Sequence, residues 1–322
     1  MASPTDARRQ RVATIWLVGM TVVWGSTFFS AKIAIDAMEA CPSAKGAHPA
    51  FAPVMLMVLR FIAASLLYPI LLPWAVRELT WEGFKAAFWM ALACVGGCLF
   101  QIVGLAMTTP SVSAFLTSLT VLFVPMVVWV WSRRTPSRSL ALAVVMSVLG
   151  LALLTGPGGG WGIGQSLNLL GSICFAVQIV MIDRMMPKVP LAGTTWLLFI
   201  ISSPLSFLPV LFLGAWGTLM GTPWVREVLL TGRVWVPLAY LVLPGTILAI
   251  SIANHYQKDL NPTRAAVIYT LEPLFAALFS YRFYGERFTA AMIAGGSILL
   301  AGNLVAELAK RKDASGDMER RA

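Results

Sequence analysis

Residues 109–123 read TPSVSAFLTSLTVLF, and residues 261–275, 152 positions further on, read NPTRAAVIYTLEPLF. Laid over one another they coincide at Pro110/Pro262, Ala114/Ala266, Leu119/Leu271, Leu122/Leu274 and Phe123/Phe275. The same offset pairs Gly19 with Gly171 and Gly150 with Gly302. It also lays the first, third, fourth and fifth apolar runs of the chain over the sixth, eighth, ninth and tenth. With five runs in each half, an odd number, a second copy enters a bilayer from the opposite side. This is the inverted-repeat plan that surrounds one central site with two gates.

The composition agrees with a bilayer as the main solvent. Of the 322 residues 58% are hydrophobic and 12% charged, with a mean hydropathy of +0.79, whereas a soluble domain has roughly a quarter of its residues charged. In hydrocarbon every backbone N–H and C=O needs a partner within the chain, which leaves helix bundles or closed barrels. Continuous apolar runs such as 13–33 and 112–131 match helices rather than the short alternating segments of a barrel. The expected fold is therefore all-α and integral to the membrane, with ten transmembrane helices in two inverted five-helix repeats. The helices are expected near 13–36, 52–75, 84–107, 111–131, 138–155, 165–187, 193–215, 235–257, 262–283 and 288–308. The repeats are then 13–155 and 165–308, joined by an external Gly-rich link at 156–164 and flanked by cytoplasmic tails at 1–12 and 309–322.

Charge placement orients this arrangement. One side holds Arg8, Arg9, Arg11, Arg77, Lys85, Arg133, Arg134, Arg138, Arg184, Lys188, Lys258, Arg264, Lys310, Arg311, Lys312, Arg320 and Arg321; the other holds Lys45, Arg226, Arg233, Arg282 and Arg287. Basic loops stay inside, so both termini are expected in the cytoplasm. The formal charge of +10 is thus a topology signal spread over short loops, and nucleic acid is not an expected partner. Cys41, Cys94, Cys98 and Cys174 are scattered; they form neither a disulfide framework nor a metal motif, and Cys94 and Cys98, one turn apart in an apolar run, read as small buried helix residues.

The motifs resemble the EamA-like family of the drug/metabolite transporter superfamily over nearly the whole chain. They are Trp24-Gly25-Ser26-Thr27-Phe28, Arg60-Phe61, Ala114-Phe115-Leu116-Thr117 with Phe123-Val124-Pro125, Leu271-Glu272-Pro273-Leu274-Phe275 and Tyr284-Gly285-Glu286-Arg287. The resemblance implies ten helices and a cavity lined by the first, third and fourth spans and their counterparts. It also implies transport of a small metabolite, amino acid-like compound or drug across a bacterial inner membrane, with export the commoner direction. One departure stands out: where the family often repeats a Gly-Glu-Arg-like turn after the fourth span, this chain has Arg133-Arg134-Thr135-Pro136.

Charge at membrane depth is costly and marks functional candidates. Glu272, whose counterpart in the first half is Thr120, falls near the midplane. It reads either as a protonatable cavity group able to couple solute movement to protons or as a structural carboxylate. Arg60 reads as a partner of Glu272, as an anion-binding group or as a cation reaching outward. Trp24, Tyr269 and Gln178 are the expected cavity lining. Pro125 and Pro273 are hinge candidates, because proline inside a helix removes a hydrogen bond and bends it. Lys32 and Asp36 read as an interfacial pair, and Trp16, Trp89, Trp131 and Trp235 as interfacial belt residues. No His-Glu-x-x-His, no paired intramembrane aspartates and only His48 and His255 are present, so nothing points to an enzyme, a metal or a cofactor. The expected partners are the bilayer, a small-molecule substrate and, through Glu272, protons; monomer and homodimer both stay open. A sensor or assembly protein without flux is the rival reading.

Overall fold

The computed structural model describes residues 4–44, 47–132, 138–155, 161–212, 223–260 and 262–319. All regular structure among them is helical. The helices are α1 Pro4–Glu39, α2 Phe51–Leu71, α3 Trp81–Ala106, α4 Pro110–Ser118, α5 Thr120–Ser132, α6 Arg138–Thr155, α7 Ile163–Met185 and α8 Leu191–Phe212. They continue as α9 Trp224–Leu230, α10 Gly232–Val242, α11 Ala249–Tyr256, α12 Pro262–Tyr269, α13 Glu272–Phe279 and α14 Ala290–Glu319. Seven stretches among the described residues are long and apolar enough to cross a membrane: Arg8–Glu39, Phe51–Leu71, Trp81–Ala106, Pro110–Trp131, Ile163–Lys188, Leu191–Phe212 and Gly232–Asp259. Ala290–Gly302 is a shorter apolar helix.

Helical structure starts at Pro4 and runs to Glu319, so both expected tails are helical over their described parts. Residues 156–160 of the expected Gly-rich link lie outside the described residues, as do Arg133 to Pro136, Lys45, Arg320 and Arg321.

Helix starts repeat along the chain. Pro110 opens α4 and Pro262 opens α12; Arg138 opens α6 and Ala290 opens α14. Proline at a first helical position costs nothing, since that N–H has no intrahelical partner. Contacts between helices fall into matching sets as well: α1 packs on α10, α11, α12 and α13, while α7 packs on α3, α4 and α5. Pairs α2/α8 and α6/α14 complete the bundle, and α4 touches α13 as α5 touches α12.

Small residues set the close approaches. A Cβ on Gly25 would lie 2.7 Å from the Glu272 carbonyl oxygen and 2.7 Å from the Phe275 Cβ, so α1 and α13 touch backbone to backbone. On α3, a Cβ on Gly97 would lie 2.6 Å from the Phe175 ring of α7. A Cβ on Gly150 of α6 would lie 2.6 Å from the Gly295 carbonyl of α14. Contacts of this kind let membrane helices associate where lipid supplies little hydrophobic drive between them.

The expected fourth and ninth spans are not single continuous helices. Each is broken between two helical pieces, with the same hydrogen bonds in both copies. The Leu119 N–H donates to the Leu116 carbonyl at 3.1 Å, as Leu271 does to Ile268 at 3.1 Å. Leu119 then accepts from the N–H groups of Leu122 (2.9 Å) and Phe123 (3.3 Å), as Leu271 accepts from Leu274 (3.1 Å) and Phe275 (3.3 Å). Pro273 stands at the start of α13, where the second break falls, whereas Pro125 lies inside the continuous α5. The first break therefore arises without a proline, at Leu119 rather than at Pro125. Side-chain hydroxyls support both breaks: Ser118 donates to the Phe115 carbonyl and Thr270 to the Val267 carbonyl, each at 2.7 Å. Hydroxyls that bond back to carbonyls in this way compete with the ladder and bend helices.

Candidate functional site

The helices converge on a cavity of about 100 Å³ to which α1, α2, α3, α4, α5, α7, α11, α12 and α13 contribute side chains. All six residues expected at the site, Trp24, Arg60, Thr120, Gln178, Tyr269 and Glu272, line it. The hinge candidates Pro125 and Pro273 do not.

The wall is built around a local change of helix. Pro244 has no N–H and its ring crowds the preceding turn. Leu243–Leu248 winds as a π-helix there, between α10 and α11. The Gly245 carbonyl accepts from Trp24 Nε1 at 3.2 Å and from Arg60 Nη2 at 3.2 Å. Arg60 Nε also donates to the Thr246 hydroxyl, which itself donates to the Leu241 carbonyl at 2.7 Å. A side chain on Gly245 would collide with Thr27 of α1, so the turn can reach Trp24 only as glycine. Short π segments of this kind are frequent at functional sites.

Arg60 is thus secured to the π-helical turn, and the expected pairing with Glu272 does not form. Glu272 opens α13, where the positive end of the helix dipole favours a carboxylate. Among the described residues its carboxylate receives neither a hydrogen bond nor an ion pair. Beside it, the Trp24 and Tyr269 rings meet edge to face with centroids 5.5 Å apart. The Tyr269 hydroxyl donates to Gln257 Oε1 at 2.7 Å, and Gln257 Nε2 donates to the Ile179 carbonyl at 2.9 Å. This buried chain joins α12, the turn after α11 and α7. On the opposite half, the Thr120 hydroxyl lies 2.6 Å from the Thr117 carbonyl and 3.1 Å from the Ser172 carbonyl, and Gln101 Nε2 donates to the Thr117 hydroxyl at 3.1 Å.

One wall group, Gln257, escapes a reading by periodicity, whereas Asn254 is a mid-span polar group evident from the sequence. Gln257 sits in a 3₁₀ turn after the regular helix has ended. Asn254 is fully buried; its Nδ2 donates to the Thr195 hydroxyl at 3.0 Å and its Oδ1 has no partner among the described residues. Cys94 and Cys98, read from the sequence as packing residues, line the cavity.

One end of the bundle is fastened by carboxylates and a lysine. Lys32 reaches the last carbonyl of α3, Ala106, at 2.8 Å and Asp36 at 3.6 Å, and the Tyr284 hydroxyl donates to Asp36 Oδ2 at 2.9 Å. Lys32 therefore pairs with Asp36 and also holds a helix C-terminus. Glu286 is buried at the start of α4: its Oε2 accepts from the Ser111 N–H (3.3 Å), the Ser111 hydroxyl (2.9 Å) and the Ser280 hydroxyl. The turn that delivers it needs Gly285, whose φ is +77°. At the same end Glu227 accepts from the Ser43 N–H at 3.0 Å and the Ser43 hydroxyl at 2.6 Å. These two hydrogen bonds hold its carboxyl below the ordinary 4.5. Trp16, Trp89, Trp131 and Trp235 are all exposed on the outside of the bundle.

A helical bundle with seven apolar stretches long enough to cross a membrane among the described residues is that of a multi-pass membrane protein. Residues 162–307 match the model of the EamA-like transporter family. A protein of Archaeoglobus fulgidus described as an uncharacterized transporter is 27% identical, aligned over 92% of this chain and 86% of its own length. A solved structure described only as "Crystal structure of protein" superposes with a TM-score of 0.61 at 18% identity, covering 94% of this chain and 98% of its own. That likeness establishes a shared fold.

Proposed function

We propose that the protein is a secondary transporter that exports a small metabolite, amino acid-like compound or drug across the bacterial inner membrane by alternating access. Ten transmembrane helices form two inverted five-helix repeats, 13–155 and 165–308, with both termini in the cytoplasm. The observation that carries this reading is the cavity: it draws its walls from both halves and presents Glu272 without a partner among the described residues. Support for two related halves comes from the paired breaks at Leu119 and Leu271 and from the paired helix starts. Under a local two-fold relation the packing of α1 on α10, α11, α12 and α13 would correspond to that of α7 on α3, α4 and α5. Rocking of one half against the other would expose the cavity to each side in turn.

Glu272 is the candidate coupling group, since it is the carboxylate that faces the solute path. Flux in proteoliposomes under an imposed pH gradient tests this. Wild type is expected to respond to the gradient and Glu272→Gln to lose the response; a variant that kept its full gradient dependence would remove protons from the mechanism.

A further inference from the structure

The polar groups of the cavity are unevenly committed. The donors are largely in use. Trp24 Nε1 and the Arg60 Nη2 share the Gly245 carbonyl, the Thr27 hydroxyl donates to the Trp24 carbonyl at 2.7 Å, and the Tyr269 hydroxyl donates to Gln257. Gln178 interacts with the Cys94 thiol. Two acceptors stand out. One is the Glu272 carboxylate. The other is Asn254 Oδ1, fully buried and without a partner among the described residues, while the amide's Nδ2 is fixed by Thr195 at 3.0 Å.

A ligand that satisfies these oxygens must bring hydrogen and positive charge. We propose that the cavity selects an organic cation bearing N–H donors, a primary ammonium or guanidinium, through Glu272 and Asn254 Oδ1. This rests on the cavity being the transport site. Glu272 offsets the ligand's charge, and Asn254 separates N–H cations from quaternary ones, because a tetraalkylammonium cannot donate and would leave the buried oxygen unpaired. The Trp24 and Tyr269 rings on the same wall are surfaces that tolerate a cation. Arg60 keeps its charge in the same cavity, where Gly245 and Thr246 hold its guanidinium, so the ligand's cationic group is assigned to Glu272 and away from Arg60.

The test is calorimetric titration of the purified full chain in detergent with n-butylamine, n-butylguanidine, tetramethylammonium and butyrate. The amine and the guanidine are expected to bind at least tenfold more tightly than tetramethylammonium, and butyrate not to bind. Asn254→Leu is expected to weaken butylamine about tenfold while leaving tetramethylammonium unchanged, and Glu272→Gln to abolish binding of both. If Asn254→Leu loses every ligand, Asn254→Asp decides: butylamine binding retained supports the assignment, and its loss overturns it. Equal binding of butylamine and tetramethylammonium, or tighter binding of butyrate, overturns it outright. Selective amine binding without any flux in proteoliposomes would refute transport and leave the selectivity standing. Flux of another solute with no amine binding would do the reverse.

Discussion

Ser118 and Thr270, 152 positions apart in the chain, hold the same bond: each hydroxyl donates to the carbonyl three residues upstream at 2.7 Å. Both sit immediately before a helix break, and both breaks carry the same backbone pattern around Leu119 and Leu271. A helix bent by a hydroxyl keeps its carbonyls paired at the bend, which the absence of water in hydrocarbon requires. The bend is therefore a built feature of each half, reached with a proline beside it in the second half and without one in the first.

Removing either hydroxyl exposes the role of the bond. Ser118→Ala and Thr270→Val are each expected to lower stability by about 1 kcal/mol, the net worth of one intramolecular hydrogen bond. Melting temperatures of the purified variants in detergent check this, and the two losses should be similar in size.

Two glycines of α1 separate packing from helix propensity. Gly25→Ala places a Cβ 2.7 Å from the Glu272 carbonyl, a backbone atom that cannot rotate away, and is expected to destabilise by about 1–3 kcal/mol. Gly19 has nothing within 4 Å of the added Cβ, so Gly19→Ala should be neutral or stabilising by up to about 1 kcal/mol. Thermal denaturation of the pair gives opposite or unequal shifts if α1 and α13 pack as described.

Glu286 and Glu227 differ in burial and should differ in consequence. Glu286→Ala strips three donors at the start of α4 of a buried acceptor, with an expected loss of about 2–3 kcal/mol. Glu227→Ala removes an exposed carboxylate, and the expected loss is too small to separate from wild type by melting temperature.

The Glu227 contact should still respond to pH. Hydrogen bonds from Ser43 depress its pKa below the ordinary 4.5, so the contact contributes above that value and is lost as pH falls through the lower folded pKa. Amide exchange at Ser43, corrected for intrinsic rates, is expected to quicken below pH 4.5 in wild type. In Glu227→Gln the step should disappear.

The class of fold was legible in the sequence because bilayer thickness imposes apolar runs of a fixed length. The six candidate side chains were legible because a polar group within such a run is costly and stands out. The breaks at Leu119 and Leu271 were not, since a hydroxyl bonding to its own helix leaves no hydropathy signature; proline, which does, pointed to Pro125 instead. Gln257 lay hidden in a 3₁₀ turn beyond the period of its helix. The bond from Lys32 to a backbone carbonyl of α3 was not legible either, because no side-chain pattern reveals it. Arg60 and Glu272, whose pairing was one of several readings open from the sequence, stay apart because the π-helical turn at Gly245 offers Arg60 two acceptors.

The most direct test of a two-gated carrier needs no known solute. Cys98 lines the cavity and can be left as the sole thiol by replacing Cys41, Cys94 and Cys174. A membrane-impermeant maleimide is then applied separately to each face of oriented proteoliposomes. Alternating access predicts that Cys98 is labelled from both faces; labelling from one face only, or from neither, would contradict it.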